Sequence, residues 1–277
     1  MRAAPARRMV RWAVNLLTVA GAGFVLLPYF WLVSSSLKTQ DEIFRLPIEW
    51  IPQDLQWTNY PTALGRFPFG TYFFNSTLVA VAVMAGNLFL CSLAAYGLAK
   101  FRFRGREFCF RAMLSTLMLP LEIVLVPTFL VVRQLGLLDS YGGLIIPLAV
   151  DAFGIFLMRQ YILDLPDSLI EAARLDGCSE FGIYWRIVLP NCRPALAALA
   201  VLSFRDNWDQ FLWPLVIASK EGLKTFPLGL ALFEGSFNAS YHEMMAAAVV
   251  GMIPMILLFL LFQRAFVRGI TLSGLKG

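Results

Sequence analysis

The stretch EAARLDGCSEFGIYWRIVLP, Glu171 to Pro190, decides how this chain is read. It lies between two apolar runs, begins polar, is interrupted by Gly177 and closes on Pro190. Pro166 ends the preceding run, and Asp167 or Ser168 can cap a new helix. Ser168 and Glu171 have the spacing of a capping box, in which each side chain satisfies the other's free backbone N–H. LIEAARLD then supplies good helix formers, and the small Ala172 and Ala173 let another surface approach the backbone. Gly177 stands where a helix needs a left-handed residue beyond its C-terminus. A side chain in that conformation costs about 1 kcal/mol or more. SEFGIYWRIVL reads as a second short helix, with Pro190 marking the approach to the next apolar run. The whole is longer than the roughly 2–8 residues that usually join helices in bundles. It reads either as an interfacial loop laying Phe181, Ile183, Tyr184, Trp185, Ile187 and Val188 among headgroups, or as a helical knob for a soluble partner.

Composition supplies the setting. The 277 residues are 58% hydrophobic and only 15% charged, with mean hydropathy +0.68. Soluble domains run at about 45–50% apolar and about 25% charged, so an integral membrane protein is expected. The 23 Lys and Arg against 18 Asp and Glu fit positively charged cytoplasmic loops rather than a nucleic-acid partner. Cys91, Cys109, Cys178 and Cys192 match no zinc or CxxC spacing. His242 is the only histidine, which excludes a histidine-rich metal site, and no GxxxxGK[ST] is present to cradle ATP.

A membrane-spanning helix needs about 20 mostly apolar residues. Six runs qualify: Ala13–Val33, Thr71–Ala99, Ala112–Val132, Tyr141–Met158, Ala195–Ala218 and Met244–Phe262. The first outlasts a signal-peptide core of roughly 7–15 residues and is expected to stay as a helix. The third holds Glu122 between Pro120 and Pro127, where its carboxylate is expected to satisfy freed backbone donors. Sixteen Lys and Arg fall on one set of loops and six on the other, which places both termini in the cytoplasm. The Glu171–Pro190 stretch is then cytoplasmic. The outer loop Lys38–Gly70 carries Trp50, Trp57 and Tyr60, aromatics suited to the membrane interface.

The pattern Glu171-Ala172-Ala173, three residues, Gly177, nine residues, Ile187-x-Leu189-Pro190 resembles the EAA loop of permease subunits of binding-protein-dependent ABC importers. LLPYFWLVSSSLKTQDEIF, FFNSTLVAVAV, AAYGLAKFRFRGR, WDQFLWPL and the tail QRAFVRGITLSGLKG resemble the carbohydrate-uptake-1 branch and are similar to the second permease of maltose importers. The likeness covers nearly the whole chain; Arg205 departs from it. The resemblance implies a single all-α permease domain over 1–277 in the bacterial cytoplasmic membrane, with a coupling loop at about 165–190 and a cytoplasmic tail at 263–277. It implies a second homologous permease, two ABC ATPase subunits that bind the ATP and Mg, and an extracytoplasmic solute-binding protein. The chain itself would bind no cofactor and catalyse nothing. Glu171, Ala172, Ala173, Asp176, Gly177, Ile187, Leu189 and Pro190 would couple to an ATPase.

Ionisable residues within spans are costly and usually face a cavity or a partner. Asp151 lies in the fourth run. Arg205 and Asp209 share a face of the fifth at i,i+4, beside Trp208 and Gln210. These five are candidates for the solute path, since aromatic and amide groups suit sugars. The competing reading is that Arg205 and Asp209 neutralise one another, or pair with Asp151 or with a residue of the second permease. The solute class expected from the resemblance is a sugar, amino sugar or polyol, with glycerol-3-phosphate as the alternative. An ion-gradient transporter would lack any use for the EAA spacing, and no paired motif supports an intramembrane enzyme using Asp151, Asp206 or Asp209.

Overall fold

The computed structural model describes residues 4–233 and 240–273, with side chains described over 11–233 and 240–263. Every regular element among them is helical. Part of the expected tail 263–277 therefore lies outside the described residues. The chain divides into two compact units, Met1–Pro68 with Leu230–Met252, and Phe69–Gly229 with Ile253–Gly277.

The first unit opens with α1 (Ala4–Ser35). The loop that follows is folded rather than extended. Thr39 and Glu42 form a reciprocal capping box at the start of α2 (Gln40–Phe44). Lys38 is buried over the ring of Trp31, 4.2 Å from its centroid. Asn59, at the start of α3 (Asn59–Arg66), donates to the carbonyls of Ser36 at 3.0 Å and Lys38 at 2.8 Å. Arg66 reaches Glu243 at 2.6 Å.

In the second unit α4 (Phe69–Gly86), a π-helical turn (Asn87–Cys91) and α5 (Ser92–Lys100) form one apolar helix of 32 residues. At about 1.5 Å per residue it exceeds the roughly 30 Å of a hydrocarbon core. Arg11–Ser35 and Tyr241–Gln263 are also long and apolar enough to cross a membrane.

The other three expected runs are not straight helices. α6 (Arg106–Ser115) continues as a 3-10 turn to Met118, and α7 (Leu121–Gln134) leaves at 109° to it. Pro120 supplies no N–H, and Leu119 before it is held extended at φ −90°, ψ 118°. Glu122 is exposed in the first turn of α7. There its charge suits the helix N-terminus, and it is not bonded to freed donors as expected. α8 (Tyr141–Ile145) and α9 (Ala152–Leu163) flank a break where the direction changes by 42°. The chain then forms α10 (Asp167–Leu175), α11 (Glu180–Ile183), a π-helical turn (Tyr184–Val188) and α12 (Leu189–Asn191). α13 (Arg193–Trp208) starts at 81° to the segment Glu180–Asn191. The expected run 195–218 therefore ends at Trp208 and resumes as the short α14 (Leu212–Ile217). α15 (Phe226–Ala231) and the 33-residue α16 (Tyr241–Ser273) complete the described helices. Among the described residues three helices are thus long and apolar enough to cross a membrane, or up to six if each bent pair is one span.

Within the second unit α4 packs on α13 and α5 on α9. Cys91, Ala95, Tyr96, Met158, Ile162, Tyr184 and Leu199 share the core between them. Small side chains allow the approach: a Cβ on Gly154 would lie 3.1 Å from Leu199 and 3.2 Å from Cys91. Arg159 of α9 is only 7% exposed. It donates to the Leu98 carbonyl at 3.2 Å, meets Glu107 at 3.3 Å and lies 3.8 Å from the Phe110 ring centroid. One buried cation thus ties α5, α6 and α9 together.

Candidate functional site

The Leu165–Pro190 loop is a helical hairpin held to the core from both sides of its turn. α10 buries Ile170 and Ala173 and exposes Glu171, Ala172, Leu175 and Asp176. Leu175 is 89% exposed. The expected Ser168–Glu171 capping box is absent: Pro166 is the cap residue and makes no side-chain cap bond. Lys100 determines this start instead. Its ammonium donates to the Leu165 carbonyl at 2.7 Å and to Asp167 at 2.6 Å, and this holds the Asp167 carboxyl below its ordinary pKa.

Gly177 has φ +81°, as the sequence predicts. Its N–H donates to the Arg174 carbonyl and that of Cys178 to the Ala173 carbonyl, both at 3.0 Å. This is the paired-bond pattern of a Schellman turn. Across it, Arg174 grips Glu180 with two bonds, 2.6 and 3.2 Å, and the Tyr96 hydroxyl donates to the same carboxylate at 2.8 Å. The guanidinium, followed by the hydroxyl, keeps the Glu180 carboxyl below the usual range. Ser179 caps α11 by accepting from the Gly182 N–H at 3.2 Å. Ile183, Tyr184 and Val188 are fully buried, while Ile187, Leu189 and Pro190 are half-buried. The Tyr184 hydroxyl meets Ser92 Oγ at 2.8 Å and the Phe89 carbonyl at 3.3 Å. The hairpin is therefore anchored to the apolar helix Phe69–Lys100 and is not a loose interfacial loop.

Beside α10 lies an open cavity of about 570 Å³, with Lys100, Arg102, Arg106, Arg174, Asp167 and Glu171 among its lining. Arg174, Glu180, Tyr96 and Lys100 were not singled out from sequence. Their partners lie across a turn or on another helix, so no local spacing marks them.

Of the five solute-path candidates, Asp151 and Gln210 come together. They line one cavity of about 290 Å³ with Asn87, Ser203, Asp206 and Asn207. Asp151 Oδ2 caps α9 by accepting the Gly154 N–H at 2.8 Å. Asn87 donates to Ser203 Oγ at 2.8 Å, and Asn207 to the Ser203 carbonyl at 2.7 Å. Asn87 lies inside a long apolar run, where an amide was the available signal.

The other three stand elsewhere. Arg205 pairs with its neighbour Asp206, through bonds of 2.9 and 2.6 Å, and not with Asp209 or Asp151. Asp209 closes α13 and is exposed, its N–H donating to the Arg205 carbonyl at 3.0 Å. The backbone keeps the two at helical i,i+4 spacing, but the guanidinium is taken by the adjacent Asp206. Trp208 is 2% exposed. It stacks with Phe204 and Phe226, both with centroids at 6.0 Å, and meets Phe73 edge-on at 5.3 Å. It belongs to an aromatic core and not to the cavity wall.

Comparison with known proteins fits this geometry. The chain is 35% identical over 280 residues, 100% of both chains, to the arabinooligosaccharides transport system permease protein AraQ of Bacillus subtilis (strain 168). It is 37% identical to the sn-glycerol-3-phosphate transport system permease protein UgpE of Yersinia enterocolitica, covering 93% of this chain and 94% of that one. Its structure is similar to a chain of a bacterial ABC transporter involved in the import of the acidic polysaccharide alginate. There the TM-score is 0.83 at 26% identity, covering 94% of this chain and 98% of the other. The family described as binding-protein-dependent transport system inner membrane component matches residues 87–272, from the π-helical turn of the polar cavity through the anchored hairpin and into α16. The chain belongs to that family.

Proposed function

We propose that this chain is the permease subunit of an ATP-driven sugar importer in the bacterial cytoplasmic membrane. It crosses the membrane six times with both termini in the cytoplasm and pairs with a second, homologous permease. Two ABC ATPases bind ATP and Mg; this chain binds no cofactor. One of them receives the exposed face of α10, with Glu171, Ala172 and Asp176 in contact and Gly177 setting the turn. Ile187, Leu189 and Pro190 carry the hairpin into α13. An extracytoplasmic solute-binding protein delivers the solute to the other face.

The observation that carries this reading is the hairpin itself: an exposed face on α10 rigidly tied through Glu180 and Tyr184 to an apolar helix. A self-contained secondary transporter has no need of such a knob. The test is uptake by proteoliposomes holding both permeases. Uptake is expected only with the ATPases, ATP and the binding protein all present. Uptake driven by an ion gradient alone overturns the reading. The likeness to the glycerol-3-phosphate permease supports a second solute class.

A further inference from the structure

We infer that the cavity among Asn87, Asp151, Ser203, Asp206, Asn207 and Gln210 is a subsite for one ring of a neutral polyhydroxyl solute, and that it turns anions away. This rests on the importer reading and decides between its two solute classes.

The lining carries the argument. It contains two carboxylates, three amides and a hydroxyl, with no Lys or Arg. The nearby cation, Arg205, is committed to Asp206. With Asp206 paired to Arg205, the uncompensated charge of the lining is the Asp151 carboxylate, and a phosphate or uronate entering here meets it with no Lys or Arg on the cavity wall to offset the repulsion. A hydroxyl meets the opposite situation. Asp151 uses Oδ2 to cap α9, which leaves Oδ1 as an acceptor. Asn207 uses only its amide nitrogen, toward the Ser203 carbonyl. Among the described residues the Gln210 amide makes no hydrogen bond, so both its donor and acceptor ends are available. Phe153, Leu199 and Leu202 line the same cavity and offer an apolar flank for the C–H face of a sugar ring.

Position and size agree. The break before Asp151 and the π-helical turn beginning at Asn87 both border this cavity. Irregular backbone and charged side chains at membrane depth are tolerated where they line a water-filled cavity. The volume of about 290 Å³ is at the small end of ligand cavities, about 300–1,000 Å³, enough for one ring and not a whole oligosaccharide.

The test uses the assembled complex of both permeases and the ATPases in lipid nanodiscs. Exposed Cys109 and Cys178 are changed to serine, and the Leu202→Cys variant reports the cavity through its rate of maleimide labelling against a parent lacking it. Arabinotriose is expected to slow labelling severalfold, and sn-glycerol 3-phosphate at the same concentration to leave it unchanged. Equal slowing, or slowing by glycerol 3-phosphate alone, overturns the charge assignment. Labelling that neither probe slows overturns the subsite. Independently, Gln210→Ala is expected to raise the half-saturating solute concentration for uptake about two- to tenfold, the worth of one lost hydrogen bond. The shorter amide of Gln210→Asn should recover part of it, and unchanged uptake by Gln210→Ala overturns the role of this residue. If the wild-type assembly shows no ATP-dependent uptake at all, the importer reading fails, whatever the labelling shows.

Discussion

Replacing Gly177 isolates the energetics of the hairpin turn. Its φ of +81° lies in the left-handed region, yet a Cβ there would meet nothing within 4 Å. A side chain at this position is therefore penalised by torsion and not by crowding. For an ordinary L residue the left-handed conformation costs roughly 1–2 kcal/mol. A difference of about 1–2 kcal/mol changes an equilibrium by a factor of about 5–30. The turn then relaxes, losing the Gly177–Arg174 and Cys178–Ala173 bonds and with them the angle between α10 and α11. Gly177→Ala is expected to weaken ATPase docking by that factor. Gly177→Asn should fall between glycine and alanine, because asparagine tolerates the left-handed region. Gly177→Val should be worst, since a β-branched residue is a strong outlier there. The order Gly, Asn, Ala, Val is not an order of size. The assay is titration of purified ATPase onto the permease in nanodiscs, with uptake measured in parallel. If asparagine and alanine behave alike, or the defect grows simply with side-chain volume, the torsional argument is wrong.

Trp208→Ala should cost about 3–5 kcal/mol of stability, as for other large aromatic-to-alanine changes in cores. Trp208→Phe should retain most of it, read by thermal unfolding in detergent. A solute-affinity change at unaltered stability would instead put Trp208 on the solute path. Arg159→Leu removes a charged hydrogen bond to the Leu98 carbonyl, a cation–ring contact and the pairing with half-exposed Glu107, together about 2–4 kcal/mol; an unchanged melting temperature rejects this. The Glu180 contact should depend on pH. Its carboxyl titrates below the ordinary value in the folded chain, so its contribution is complete above about pH 4.3, the ordinary Glu value, and is lost as pH falls through the lower folded value. With both partners about two-fifths exposed, the contribution is below about 1 kcal/mol. The melting temperatures of wild type and Glu180→Gln should differ by a constant amount from about pH 8 to 5 and converge in stronger acid.

What the sequence revealed was what is local. Gly177 and Pro190 announced the hairpin because a left-handed residue and a missing N–H are properties of single residues. The long apolar helices were legible because hydropathy sums over neighbours. That same averaging concealed the breaks: Pro120 and the stretch before Asp151 each interrupt a run whose mean hydropathy stays high despite a single carboxylate. The helix start at Asp167 depends on Lys100, 67 positions earlier, and no capping rule contains such a partner. Arg205 and Asp209 had the right spacing for a helical pair, but the adjacent Asp206 takes the guanidinium.

The anchored hairpin and the polar cavity meet on one element. Asn87 opens the π-helical turn and lines the polar cavity. Phe89, in the same turn, and Ser92, just beyond it, hold the Tyr184 hydroxyl. Tyr96, one turn later, holds Glu180. Every one of these contacts to the hairpin comes from the apolar helix Phe69–Lys100. Because Ile170, Ala173, Ile183 and Tyr184 are buried in the same core, α10 cannot tilt alone without opening packed surface, at roughly 25 cal/mol for each Å² exposed. If an ATPase docks on α10 as proposed, a push on its exposed face is transmitted to Phe69–Lys100, the helix on which the cavity residue Asn87 lies.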